Sequence, residues 1–119
     1  MNVATGCVLC RSNGLFEGPV MAETEHAYLT TAKGNEHNYL IIPASHVASL
    51  TDLPDDWWRD AKDMLKHIPD LQDYNLSLNY GKSAGQTLEH IHFWIIPRVS
   101  NEPAAGKGLA RLINEANQE

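Results

Sequence analysis

Two neighbouring stretches in the C-terminal half constrain the fold most. Residues 74–80, YNLSLNY, place Leu76 and Leu78 on one face and Asn75, Ser77 and Asn79 on the other. Residues 88–96, LEHIHFWII, are rich in β-branched and aromatic types and stop at Pro97. A proline suits a strand terminus and would break a ladder further in. Only a short turn containing Gly81 and Gly85 separates the two runs. Residues 24–31 and 38–43 read as a second pair of strands around a Lys33-Gly34-Asn35 turn. Strands joined this closely favour antiparallel pairing.

One strong helical pattern interrupts the strands. Pro54 sits in its first turn, Asp55 and Asp56 favour the positive end of its dipole, and Trp58, Ala61, Leu65 and Ile68 recur at helical spacing before Pro69 stops it. Trp57 and Trp58 cannot both face the core of one helix, which leaves one for an interface. Residues 104–117 read as a short terminal helix with Leu109, Leu112 and Ile113 on its apolar side, although Gly106 and Gly108 lower its propensity. Strands, helix, strands and tail helix within 119 residues predict one α+β domain spanning residues 1–119. The edges of such a sheet need protection, so pairing into a homodimer is expected.

Charge narrows the class of ligand. Nine Lys and Arg against fifteen Asp and Glu leave a net charge of −6. That balance opposes a phosphate-tracking surface for long nucleic acids but allows a small anion held by local donors. No signal-peptide pattern and no run of about 20 apolar residues is present, so a cytoplasmic location and no membrane partner are expected. The only cysteines, Cys7 and Cys10, form a C-x-x-C. Only six residues precede it, which disfavours a thioredoxin-like site after a strand and favours half of a metal site.

The candidate chemistry converges on residues 81–94. His90, His92 and Trp94 would share one strand face, with the two imidazoles about 7 Å apart at their Cα atoms. Three readings fit: two polar residues on a wet face, two ligands of one metal, or one ligand and one nucleophile. The glycines before them can adopt positive φ and bring backbone N–H groups close to an anion.

The run GQTLEHIHFWIIPR resembles the signature of the histidine triad (HIT) family. YNLSLNYGKSAGQ is similar to the strand and glycine turn before that signature, NYLIIPASH to its L-V-I-P strand, and CVLC to its N-terminal cysteine motif. The resemblance covers most of residues 7–98. It implies an α+β fold with an antiparallel sheet of about five strands, one main helix and a short C-terminal helix. It also implies hydrolysis or transfer at a nucleotide α-phosphate through a covalent nucleotidyl-histidine, on a phosphoramidate or dinucleoside polyphosphate. His92 falls on the family's nucleophile, and Gln86 and Thr87 on residues that contact the phosphate and the leaving-group oxygen. Asn79, Gly85, Gln86, Thr87 and Thr30 fall at nucleotide-binding positions. Cys7, Cys10, His46 and His90 fall on the ligands of a structural zinc.

Three positions depart from the family pattern. Trp94 stands where the third triad histidine is expected, Asn38 replaces the histidine before the L-V-I-P strand with His37 one place away, and Thr30 replaces an acidic ribose ligand. Such changes point either to a shifted substrate or to a catalytically weak nucleotide-binding regulator on the same scaffold. A third possibility is a metal-binding module in which His90 and His92 both ligate.

Overall fold

The computed structural model describes residues 2–118. Its strands are β1 (Ala22–Glu23), β2 (Ala27–Ala32), β3 (Asn35–Pro43), β4 (Tyr74–Leu78) and β5 (Phe93–Pro97), and its helices are α1 (Asp55–Met64) and α2 (Leu109–Asn117). The strands form one antiparallel sheet in the order β1-β2-β3-β5-β4. This is the expected α+β architecture, with one main helix and a short C-terminal one. No helix among the described residues is long and apolar enough to cross a membrane.

Strand alternation divides the sheet into two unlike faces. Ala27, Leu29, Ile41, Phe93 and Ile95 point toward α1 and close the main core with Trp57, Ala61 and Met64. On the other face, Tyr28 and Ile42 pack under an N-terminal segment through Leu9, Cys7, Phe16 and Val20. Residues directly opposite in a ladder share a face. Thr30, Leu40, Trp94 and Ser77 therefore form one row across that second face.

Two boundaries and one buried face move from the sequence reading, each for a tertiary reason. The last strand begins at Phe93 rather than 88, because the chain before it turns to the segment after β3: the Ile91 N–H donates to the Val47 carbonyl at 2.8 Å. The buried face of α1 runs through Trp57, Ala61 and Met64, while Trp58 remains 44% exposed. The tail helix starts at Leu109, since turns occupy residues 100–106 and Gly106 adopts φ +78°. The two-residue β1 is too short to leave a periodic signal.

Candidate active site and metal centre

Cys7 and Cys10 meet His46 and His90 where the N-terminal segment crosses the end of β3. The four potential ligand atoms all lie within 4.8 Å of one another. The Cys7 Sγ–His90 Nδ1 separation is 3.5 Å, and Cys10 Sγ lies 3.6 Å from Nδ1 of both His46 and His90. Tetrahedral zinc, with its usual bond lengths to sulfur and nitrogen, sets an S···N edge of about 3.6 Å, so the donor set fits such an ion. The His90 ring is oriented independently: its Nε2–H donates to the Pro43 carbonyl at 2.7 Å, leaving Nδ1 free to ligate. Burial pushes His90 down to about 4 despite that bond, so at neutral pH it is an uncharged donor. Burial also raises the Cys10 thiol.

The segment carrying the cysteines is folded by its own polar contacts. The Asn13 side-chain amide donates to the carbonyls of Ala4 and Cys7 at 2.8 and 3.0 Å, and the Cys7 N–H returns to the Ala4 carbonyl at 3.1 Å. The Tyr28 hydroxyl donates to the Leu9 carbonyl from beneath.

His92 occupies a different setting two residues on. Its ring is half-buried, and Nδ1 lies 3.1 Å from the His90 carbonyl. With the proton on Nδ1 donated to that carbonyl, Nε2 keeps its lone pair. His90 thus joins the cysteine cluster through its ring and holds its neighbour through its backbone.

The glycine turn folds beside this strand. Gly81 and Gly85 take φ +92° and +95°, which an L side chain rarely adopts. A Cβ on Gly85 would stand 3.4 Å from Asn79 Nδ2, which brings Asn79 and Gly85 together. Gln86 is largely occupied in holding the turn. Its Oε1 accepts from the Gly81 N–H and its Nε2 donates to the Leu88 carbonyl, both at 2.8 Å, which leaves one amide hydrogen. Thr87 is exposed. Thr30 is not brought to this group: it is wholly buried, with a Cβ on Gly18 only 3.3 Å from its Oγ1 and 2.7 Å from the Phe16 ring. Residues 16–18 therefore lie over it. Asn38 is half-buried and His37 exposed.

The sequence pattern of the HIT domain matches residues 21–101. The chain belongs to the HIT domain family. It is 31% identical over 105 residues to an uncharacterized HIT-like protein of Methanocaldococcus jannaschii, covering 81% of each chain. An adenosine 5'-monophosphoramidase of Schizosaccharomyces pombe is 30% identical over 111 residues, covering 86% of this chain and 81% of that protein. In fold, the chain resembles a zinc-bound histidine triad family protein from Mycobacterium smegmatis, with TM-score 0.68 at 22% identity over 96% of this chain and 98% of the other.

Some residues of this HIT domain that shape the site left no readable signal. The Pro43 carbonyl, which fixes the His90 tautomer, is a backbone group that no side-chain pattern reports. Asn13 follows the second cysteine by three residues, and that spacing was a usable cue. Arg98, just past β5, is committed to Glu102, Asn75 and the Ala104 carbonyl.

Proposed function

We propose that this HIT domain is a nucleotide hydrolase or nucleotidyl transferase acting through His92. The observation that carries the reading is the 3.1 Å contact of His92 Nδ1 with the His90 carbonyl, which leaves Nε2 as a free nucleophile. Nε2 forms a bond to the α-phosphorus as the bond to the leaving group breaks, and the departing amine or phosphate oxygen takes up a proton, which this reading assigns to Thr87 to deliver. Water then attacks the same phosphorus, the N–P bond breaks, and nucleotide and His92 are released. Asn79, the turn at Gly85 and the spare Gln86 hydrogen position the phosphate. An adenosine phosphoramidate is the favoured substrate, in keeping with relatives named adenosine 5'-monophosphoramidase; a dinucleoside polyphosphate is the other candidate.

Cys7, Cys10, His46 and His90 would hold zinc as a structural ion, since four protein donors leave no open position. When bound, it ties the N-terminal segment to the residue that orients the nucleophile. The two free thiols suit a reducing compartment such as the cytoplasm. A homodimer forms through the β4 edge. There the exposed Leu76 and Trp58 border a groove of about 590 Å³ with Phe93 and the buried Trp57, whose indole N–H lacks a partner among the described residues. Light scattering of Leu76→Lys against wild type tests this, and a wild-type monomer overturns it.

The catalytic reading is tested by brief mixing with adenosine 5'-phosphoramidate and intact-mass spectrometry. A nucleotidyl adduct absent from His92→Ala supports it. The substitution of Trp94 and the covered Thr30 favour one competing reading, a nucleotide-binding regulator with negligible turnover. Binding with neither adduct nor product would decide for the regulator.

A further inference from the structure

Beyond His92, the face of β5 offers a substrate little unmatched charge. Alternate residues share a strand face, so Trp94, Ile96 and Arg98 follow His92 in line. The Trp94 ring comes first, 6.4 Å from that of His92 between centroids and tilted by 51°. Leu40 and Ser77 flank it on the neighbouring strands. Behind it lies a cleft of about 210 Å³, lined by Asn75, Ser77, Ile96 and, from the tail, Leu109 and Leu112. Arg98 borders this cleft, but Glu102 matches its charge at 2.9 Å, and Asn75 and the Ala104 carbonyl take its remaining donors.

A second phosphate lying along this strip would lose water without meeting a free counter-charge. An apolar group would gain by burial against Trp94 and the tail leucines. We propose that Trp94 and the cleft behind it are the subsite for the leaving group, and that Trp94 selects an uncharged amine with an apolar body over a further phosphate. The subsite rests on the nucleotidyl-histidine reading above. As the His92 Nε2–P bond forms, the P–N bond to the amine breaks, and the amine leaves along the strip with a proton gained.

The test compares kcat/KM for adenosine 5'-phosphoramidate, its N-benzyl derivative and diadenosine tetraphosphate. Wild type favours the N-benzyl compound, with the tetraphosphate last. Trp94→Ala lowers the ratio of N-benzyl to unsubstituted amide by about tenfold, mainly through KM, as expected for a lost apolar contact, while Trp94→Phe preserves it. Leu112→Asp, placed on the tail, lowers the same ratio and serves where Trp94→Ala fails to fold. A wild-type preference for the tetraphosphate, or a ratio unmoved by the folded variants, overturns the subsite while leaving the His92 reading intact. No turnover and no adduct with any of the three compounds overturns both.

Discussion

His90 and His92 are separated by a single residue, yet their rings lie in opposite surroundings. The His90 ring is 1% exposed, with two thiols and a second imidazole near Nδ1 and a carbonyl on Nε2. The ring of His92 is half-buried, with one nitrogen held and the other free. The same side chain is suited to ligation in one place and to nucleophilic attack in the other. What separates the roles is which nitrogen the backbone occupies: the Pro43 carbonyl takes Nε2 of His90, and the His90 carbonyl takes Nδ1 of His92.

The sharpest break in this comparison comes from His92→Ala. Turnover should fall by about 10⁴-fold or more, as for loss of a covalent nucleophile. Metal content and melting temperature should stay at wild-type values. Metal loss in this variant would put His92 in the cluster and erase the distinction between the two rings.

Cys10→Ala should do the reverse. Cys10 is fully buried and contacts both histidines of the cluster. Its removal should abolish stoichiometric metal binding and cost about 3 kcal/mol or more of folding stability, measured by denaturant titration. Activity falls secondarily, because the N-terminal segment also forms the apolar cover over Tyr28 and Ile42. Unchanged metal content would remove the cysteines from the site.

Much of this division was legible in the residues themselves. The alternation in 74–80, the proline after 88–96 and the two-glycine turn place β4 and β5 in register, with Ser77 opposite Trp94. Cys7, Cys10, His46 and His90 come from three distant segments, and the structure gathers them. What stayed hidden depends on tertiary partners. Residues 88–92 have strand composition, but the chain after β3 captures the Ile91 N–H. Trp57 and Trp58 carry the same signal, and only the angle at which α1 meets Phe93 decides which is buried. Thr30 lies on the appropriate face, yet Phe16 and the side-chain-free Gly18 close over it. Gln86 has donors suited to phosphate, but its own turn takes one of the two.

Acid gives a smaller, graded test of the buried ring. In the metal-free protein, burial holds His90 at about 4, whereas an unfolded histidine titrates near 6.5. The unfolded chain therefore binds the extra proton first as pH falls. The stability is present above about pH 6.5 and is lost on descending toward pH 4, a difference of about 3 kcal/mol from this residue. Denaturation of metal-free wild type and His90→Gln at pH 7.5 and 4.5 isolates it. Equal pH dependence in both would show that the ring is not held neutral by burial.

The smallest expected effect lies in Asn13, which touches neither the histidines nor the proposed ligand path. Its amide donates to the Ala4 and Cys7 carbonyls and so fixes the loop that presents the first thiol. Asn13→Ala removes both bonds while leaving all four donors in the chain, and should cost about 1 kcal/mol of stability. Zinc affinity should weaken about tenfold in a chelator competition, the lower end for loss of a group that orients a ligand. Turnover per metal-loaded molecule should hold, because the His90 carbonyl that orients His92 is untouched. A fall in loaded turnover comparable to that of His92→Ala would mean that the two surroundings are not separable, and that the N-terminal loop acts on the nucleophile directly.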